Sequence, residues 1–305
     1  MNKIEFGDCR ETMRRWAADG VKAQMCVTSP PYFGLRSYGG GDAELGKEST
    51  PEQYVANMVE VFRGVRDVLA DDGVLFLNVG DSHYNYRTGH KGGMPGQTVH
   101  AGKQNGKPDI NEGCLRRATK LQGIQEKELI GIPWMLAFAL RANGWLIRQE
   151  IIWSKPNPTP EKVTDRFTRS HEQMFLLTKK PHYSLDSTVV MEAGVDGHPR
   201  RKRSVWEVPT SRAPGAHFAT FPPALIEPCI LAGSRPGDIV LDPFMGSGTT
   251  AAVALQHGRR YLGCELNPDY GALQDERIAK ATPAIDLFSA AFSGAEIEPG
   301  EAETE

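Results

Sequence analysis

Residues 239–250 read Ile-Val-Leu-Asp-Pro-Phe-Met-Gly-Ser-Gly-Thr-Thr, and this stretch gives the clearest indication of the fold class. The short apolar start predicts a buried strand, and an apolar helix follows the glycine turn as far as His257, where Gly258 ends it. Residues 261–264, Tyr-Leu-Gly-Cys, predict the next strand, which ends at Glu265. This strand–helix–strand unit is typical of α/β proteins with a mostly parallel sheet.

The glycine turn of this unit has the chemistry of a cofactor site. Glycines let a ligand approach the backbone, and the helix N-terminus presents unpaired N–H groups. Glu265 is placed to accept hydrogen bonds from ribose hydroxyls. Gly246, Gly248 and Ala251 also fit the fingerprint of dinucleotide-binding proteins, which keeps a nicotinamide-dependent oxidoreductase as an alternative. Asp242 favours a cofactor without pyrophosphate, because a carboxylate suits a cationic amino-acid moiety better than phosphates.

A second motif follows another predicted strand, residues 24–27. Residues 28–32 read Thr-Ser-Pro-Pro-Tyr at the strand end, where α/β sheets carry ligands. The two prolines stiffen the turn and donate no N–H, so the carbonyls of Ser29 and Pro30 can accept hydrogen bonds from a planar amino group. The ring of Tyr32 can stack on the ring that bears this group. The alternative is an ordinary Pro-Pro turn with a packed tyrosine.

Strands and helices alternate along the rest of the chain, as expected for an α/β protein. The clearest helix spans residues 50–69, where Thr50 and Gln53 form a capping box and Gly73 closes the segment. Further strands are predicted at residues 3–6, 74–79 and 145–153, and further helices at residues 9–16 and 132–142. The segment 82–127 has little apolar periodicity, and a segment this long inside a domain is usually functional.

Composition and charge narrow the class of protein. The chain has 305 residues, of which 40% are hydrophobic and 24% charged, as in ordinary globular proteins. No apolar run reaches the ~18 residues of a membrane-spanning helix, and the N-terminus lacks a signal-peptide core, so a cytoplasmic protein is expected. The five cysteines are scattered without a C-x-x-C pair, which argues against disulfides and against a metal site.

The net charge of −3 hides an uneven distribution. Residues 284–305 contain six acidic residues and no Lys or Arg, so the rest of the chain is net basic. Basic residues are concentrated in the segment 82–127 and in the contiguous block 200–203, Arg-Arg-Lys-Arg. These patches permit a polyanionic partner, although a single basic run is more often a solvated surface.

The two motifs together, residues 28–32 and 242–250, resemble the motif pair of the amino-group DNA methyltransferases that use S-adenosyl-L-methionine. The catalytic tetrapeptide precedes the cofactor motif, which resembles the permuted β group of that family. Other stretches are similar to further motifs of the family: residues 7–11, 151–157, 169–172, 217–222 and 263–268. The resemblance covers roughly residues 1–80 and 130–278.

The resemblance implies a Rossmann-like methyltransferase fold, an α/β domain with a mixed, mostly parallel sheet and a circularly permuted motif order. The domain would span residues 1–283, with a DNA-facing insertion at about 82–127 and a short recognition region at about 180–215. Residues 284–305 would form an acidic, disordered tail.

The resemblance also assigns roles to individual residues. The catalytic residues it implies are Ser29, Pro30, Pro31 and Tyr32. The cofactor-binding residues it implies are Asp8, Cys9, Thr28, Phe218, Ala219, Thr220, Asp242, Pro243, Phe244, Gly246, Ser247, Gly248, Thr249, Glu265 and Leu266. The DNA-binding residues we expect are Arg200, Arg201, Lys202 and Arg203. No metal ligand is implied.

The implied function is site-specific methylation of the exocyclic amino group of a flipped base in double-stranded DNA. Ser29 favours N4 of cytosine, because the family's adenine enzymes mostly carry Asp or Asn there; N6 of adenine is the alternative. No cysteine lies in a Pro-Cys turn, which argues against attack on cytosine C5. A homodimer and a cognate restriction endonuclease are further candidate partners. A non-catalytic DNA-binding relative and RNA methylation are the remaining alternatives.

Overall fold

The computed structural model describes residues 2–34, 44–86, 114–117, 121–158, 160–161, 163–210 and 221–281. Its helices are α1 (Cys9–Ala18), α2 (Pro51–Val68), α3 (Ile132–Ala142), α4 (Pro223–Gly233), α5 (Thr249–Gln256) and α6 (Gly271–Ala279). Its strands are β1 (Lys3–Phe6), β2 (Ala23–Thr28), β3 (Leu69–Val79), β4 (His83–Tyr86), β5 (Cys114–Arg117), β6 (Leu146–Ser154), β7 (His171–Thr178), β8 (Met191–Ala193), β9 (Pro199–Arg201), β10 (Val205–Glu207), β11 (Ile239–Asp242) and β12 (Arg260–Glu265).

The main sheet of the described residues has eight strands in the order β1-β12-β11-β2-β3-β7-β6-β10. All its neighbouring strands are parallel except at β7, which runs antiparallel to both β3 and β6. This confirms the mixed, mostly parallel sheet. Because β11, β12, β2 and β1 point the same way, the two sequence motifs meet at one edge of the sheet.

The central strands of the sheet are buried on both faces, and alternate side chains along them enter different cores. Cys26, Leu75 and Leu241 face α1, α2 and α3, whereas their neighbours Met25 and Val240 face α4 and α5. This double burial explains why the strands read as continuous apolar runs. No helix in the described part of the chain is long and apolar enough to cross a membrane.

Helix α2 begins as the capping pattern predicts. The Thr50 side chain accepts a hydrogen bond from the Gln53 backbone N–H at 3.2 Å, and Pro51 occupies the first helical position. The helix ends at Val68, within one residue of the predicted end, but the role expected of Gly73 was wrong, because Gly73 lies inside β3. A Cβ on Gly73 would come within 2.7 Å of the Gln24 carbonyl oxygen, so the glycine serves close strand packing there.

The segments expected to contact DNA are only partly described. Within the expected insertion 82–127, β4 pairs in parallel with β5, and residues 87–113 and 118–120 lie outside the described residues. Within the expected recognition region, β8 and β9 form an antiparallel pair and β10 joins the edge of the main sheet. The acidic segment 284–305 lies outside the described residues, so the proposed division of the chain stays a prediction.

Candidate active site

A cavity lies at the carboxyl ends of β1, β2, β11 and β12. The cavity and the open solvent at its mouth together amount to about 1060 Å³. Its wall comprises residues 7–9, 29–32, 44–45, 243–246 and 265–267, together with Phe221, Thr249 and Tyr270. The turn of residues 29–32 (the catalytic turn) and the glycine turn are more than two hundred residues apart in sequence, yet they line one cavity.

Glu265 holds the glycine turn in place. Its Oε2 accepts a hydrogen bond from the Gly246 N–H at 2.8 Å, and its Oε1 accepts one from the Asn267 N–H at 2.9 Å. Gly246 and Gly248 adopt φ values of +53° and +84°, a region that favours glycine. Burial raises the pKa of the Glu265 carboxyl. Each carboxylate oxygen keeps a second lone pair that a ligand hydroxyl can use.

Asp8 and Cys9 form another part of the wall. The Asp8 carboxylate caps α1 by accepting from the Arg10 N–H at 2.8 Å, and it forms an ion pair of 2.5 Å with the Arg10 guanidinium. Burial raises the pKa of the Cys9 thiol to about 12. The thiol is therefore neutral at physiological pH and presents a small uncharged surface to the cavity.

Asp242 lies behind the cavity wall rather than in it. Its Oδ1 accepts from Thr28 Oγ1 at 2.6 Å and from the Phe244 N–H at 3.0 Å, while its Oδ2 accepts from Thr250 Oγ1 at 2.6 Å. Burial raises its pKa to about 6. The carboxylate thus ties the end of β11 to the end of β2. Thr28, Ser247 and Gly248 are likewise absent from the residues that line the cavity.

All four residues of the catalytic turn, Ser29, Pro30, Pro31 and Tyr32, line the cavity. Tyr54 of α2 donates its hydroxyl hydrogen to the Pro31 carbonyl oxygen at 2.9 Å. Pro31 thus has a partner for its carbonyl within the protein.

The side chain of Tyr32 is held by polar groups on neighbouring strands of the sheet. Its hydroxyl donates to Glu172 Oε2 at 2.7 Å and accepts from Asn78 Nδ2 at 3.0 Å. Ser29 Oγ lies 3.4 Å from the same hydroxyl. Glu172 also forms an ion pair with Lys155. The hydroxyl of Tyr32 is thus fixed by several side chains.

The pKa of Glu172 reflects this cluster. Burial alone would raise the pKa of its carboxyl, but the charge of Lys155 and the hydrogen bonds from Lys155, Tyr32 and Asn78 outweigh burial and lower it. Glu172 is therefore ionised at neutral pH. The sequence reasoning assigned no role to Glu172, Asn78 or Lys155. One signal was available, since Asn78 is a polar residue inside the apolar strand Val74–Val79.

Glu44 is a second acidic residue of the cavity wall that the sequence reasoning missed. Only 7% of its surface is exposed, and its Oε2 lies 2.5 Å from Lys47 Nζ. It follows a segment without apolar periodicity, so no pattern in the sequence marks it. Phe218, Ala219 and Thr220, which were expected in this wall, lie outside the described residues.

None of the residues of the basic block 200–203 lines this cavity. Arg200 Nε is 2.9 Å from Glu192 Oε1, and Lys202 Nζ lies 5.4 Å from the centre of the Trp206 ring. Hydrogen bonds from Thr188, and then the charges of Arg201 and Arg235, lower the pKa of Asp186.

The Asp186 N–H donates to the Ala232 carbonyl at 2.8 Å, near the end of α4 and the start of β11. The segment that precedes β8 therefore packs near the amino end of β11. DNA binding by Arg200, Arg201, Lys202 and Arg203 stays a prediction.

Comparisons with known proteins agree with this arrangement. A family model described as DNA methylase, of the N6/N4 kind, matches residues 23–275. The chain is 46% identical over 264 residues to the Type II methyltransferase M.Cfr9I of Citrobacter freundii, covering 87% of this chain and 83% of that protein. It is 45% identical to the Type II methyltransferase M.SmaI of Serratia marcescens, covering 91% of each chain.

A solved structure is similar over almost the whole chain. It is a putative DNA modification methylase from Thermus thermophilus complexed with S-adenosyl-L-methionine, with a TM-score of 0.60 and 25% identity. The match covers 93% of this chain and 96% of that chain. The family match spans most of the chain and removes the oxidoreductase alternative. The chain belongs to the N6/N4 family of DNA methylases.

Proposed function

We propose that this protein is an S-adenosyl-L-methionine-dependent methyltransferase that modifies an exocyclic amino group in double-stranded DNA. The observation that carries the proposal is that the Ser-Pro-Pro-Tyr turn and the glycine turn line the same cavity. A methyl donor bound against the glycine turn would lie beside an amino group held by the catalytic turn. Proximity of this kind supplies much of the acceleration in group transfer.

The residues of the cavity suit this cofactor. Phe244, Met245 and Leu266 offer an apolar wall for adenine, and the Glu265 carboxylate can accept from the ribose hydroxyls. The buried Glu44 carboxylate lines the same cavity as the catalytic turn and suits the cationic end of the molecule. It takes the role first expected of Asp242, whose oxygens are engaged with Thr28, Thr250 and Phe244. When bound, the cofactor supplies an electrophilic methyl group on a sulfonium.

The catalytic turn prepares the amino group of the target base. Ser29 Oγ and the Pro30 carbonyl oxygen accept hydrogen bonds from the amine, which loosens the conjugation of its lone pair with the ring. The Pro31 carbonyl is engaged by Tyr54, so it does not compete for the amine. Tyr32 stacks on the base, which must leave the duplex to enter this site. The amine nitrogen itself is the nucleophile, so no covalent enzyme intermediate is required. Its new bond to the methyl group would replace the bond between that group and the sulfonium, which would leave a thioether, and the amine would lose one proton to water from its hydrogen bond with Ser29 Oγ.

We propose N4 of cytosine as the target atom, with N6 of adenine as the alternative. A carboxylate or amide at position 29 would reach further and accept more strongly than the Ser29 hydroxyl, which must also place its own proton. Mass spectrometry of nucleosides from treated DNA distinguishes the two. N6-methyladenine without N4-methylcytosine would contradict the assignment.

The biological setting is proposed from the relatives, which are named Type II methyltransferases. We propose a cytoplasmic protein that protects DNA within a restriction-modification system, with a cognate endonuclease as partner. Sequencing sensitive to methylation, on DNA from cells expressing the protein, would give the modified site. A homodimer is a further proposal, and sedimentation analysis of the purified protein tests it.

The decisive experiment measures transfer of labelled methyl groups from S-adenosyl-L-methionine to plasmid DNA. Wild-type protein should label DNA, and Tyr32→Ala should bind the cofactor normally but transfer slowly, because base stacking worth ~1–3 kcal/mol is lost. Labelling of RNA instead of DNA, or DNA binding without labelling, would refute the proposal. Wild-type turnover by Tyr32→Ala would refute the stacking role.

A further inference from the structure

Four polar side chains form a cluster directly behind the catalytic turn. Tyr32 follows β2, Asn78 lies in β3, Lys155 follows β6 and Glu172 lies in β7. Asn78 is 1% exposed, and the side chains of Lys155 and Glu172 are 17% and 14% exposed. A cluster of polar groups in such a buried position is costly unless each charge is paired.

Glu172 lies at the centre of this cluster, and both of its carboxylate oxygens are engaged. Oε1 pairs with the Lys155 ammonium. Oε2 accepts from the Tyr32 hydroxyl at 2.7 Å and from Asn78 Nδ2 at 3.0 Å. Glu172 is not among the residues that line the cavity. It therefore touches the catalytic turn through Tyr32 and not through the ligand space.

The ring of Tyr32 is confined on another side by Gly80. A Cβ on Gly80 would lie 2.5 Å from Tyr32 Cε2 and 3.1 Å from Cζ, so the absence of a side chain there admits the ring. With Gly80 beneath the ring and Glu172 at its hydroxyl, rotation of the ring away from this orientation requires a charged hydrogen bond to break. Such bonds are about twice as strong as neutral ones.

We infer that Glu172, held in place by Lys155, is a positioning residue that sets the orientation of Tyr32 for the target base. The inference rests on the proposed function, because it assumes that Tyr32 meets the base. A stacking ring contributes only when its face is presented to the base, and the cluster fixes that face before DNA binds. Preorganisation of this kind lowers the entropic cost of binding.

The test replaces the ion pair by apolar side chains of similar size. In the double variant Lys155→Met/Glu172→Met no unpaired charge is left behind, and such replacements usually preserve the fold. Loss of the hydrogen bond should slow single-turnover methyl transfer roughly tenfold to a hundredfold, as should Tyr32→Phe. Calorimetric affinity for S-adenosyl-L-methionine should not change. As a control, Lys180→Met removes an exposed ion pair with Asp71 beyond the other end of β7 and should leave the rate unchanged.

Combining the replacements separates a positioning role from a general structural one. Adding Tyr32→Phe to Lys155→Met/Glu172→Met should cause no further loss, because both changes remove the same hydrogen bond. Losses that multiply, or a wild-type rate in the pair replacement, would overturn the inference. If Lys155→Met/Glu172→Met does not fold, Glu172→Gln takes its place. Adding Tyr32→Phe to Glu172→Gln should then cause no further loss of rate, and losses that multiply would overturn the inference.

A second measurement does not depend on activity. The protein is labelled with 3-fluorotyrosine and studied by fluorine NMR. The resonance of Tyr32 is assigned as the one that disappears from the spectrum of Tyr32→Phe. It should shift in Lys155→Met/Glu172→Met while the resonances of the other tyrosines stay in place; an unchanged Tyr32 resonance would overturn the inference. If wild-type protein transfers no methyl group, the proposed function fails, and the resonance still reports whether Glu172 orients Tyr32.

Discussion

Asp242 should make the folded protein less stable as the pH rises from 4 to 8. Its carboxylate accepts hydrogen bonds from Thr28, Thr250 and the Phe244 N–H, yet burial still raises its pKa from 3.8 to about 6. The folded state therefore binds the Asp242 proton more tightly than the unfolded state. Between these two pKa values the native protein carries more protons, so its free energy of unfolding falls as the pH rises.

The size of the effect follows from the two pKa values. Each unit of pKa difference corresponds to about 1.4 kcal/mol, so a rise from 3.8 to about 6 corresponds to roughly 3 kcal/mol. This contribution is fully present below pH ~4 and is lost as the pH passes through ~6. Other carboxylates oppose the trend, among them Glu172, whose pKa is lowered in the folded state.

Comparison with Asp242→Asn isolates the contribution of this one group. Urea unfolding of both proteins should be followed from pH 4 to pH 8 without cofactor. The stability of Asp242→Asn relative to wild type should increase by roughly 3 kcal/mol across this range, since the amide does not titrate. A stability difference that is independent of pH would refute the raised pKa and with it the account of Asp242 as a buried anchor.

Four further predictions concern the cavity and the DNA surface. Glu265→Ala should weaken S-adenosyl-L-methionine binding at least tenfold, because hydrogen bonds to a carboxylate are worth ~1.5–3 kcal/mol each, and unchanged calorimetric affinity would contradict the ribose role. Glu44→Gln should weaken cofactor binding while sparing the free energy of unfolding, and equal affinity would remove Glu44 from the cationic end. Gly80→Ala should destabilise the protein by ~1–3 kcal/mol through overpacking against Tyr32, a loss that Tyr32→Ala should relieve in urea unfolding of the double variant. Neutralising residues 200–203 should weaken DNA binding and lower the salt slope by ~0.9 per lost phosphate contact, and an unchanged slope would assign the contacts elsewhere.

The sequence predicted the parts of the fold that depend on local pattern. Thr50 and Pro51 mark the start of α2 because capping involves only adjacent residues. The glycine turn was also predicted from a local pattern. Gly246 and Gly248 adopt positive φ, a conformation that favours glycine. Gly73 was wrongly read as the residue that closes α2. It lies in β3, where the close approach of the Gln24 carbonyl leaves no room for a side chain, and no local pattern encodes such a contact between strands.

The site was predictable in its motifs but not in its supporting contacts. Ser29 and Tyr32 stand in a recognisable turn, whereas Glu172 reaches Tyr32 from 140 residues away. The burial of Asp242 was not predicted. In a sequence, a carboxylate at a strand end looks the same whether it faces a ligand or two threonine hydroxyls. Whether such a carboxylate faces a ligand or the protein depends on contacts between strands, and a single sequence does not contain these contacts.

The position of β1 at the edge of the sheet has a consequence for synthesis. Among the described strands its one neighbour is β12, and Asn2 accepts a hydrogen bond from the Tyr261 N–H across 259 residues of chain. At ribosomal rates of ~5–20 residues per second, residues 3–6 wait roughly 13–50 s for their partner. During that time Gly7 and Asp8 cannot meet Glu265, so the wall of the cavity is incomplete in a nascent chain. On the proposed function, we therefore expect that a nascent chain does not hold the cofactor until β12 has left the ribosome.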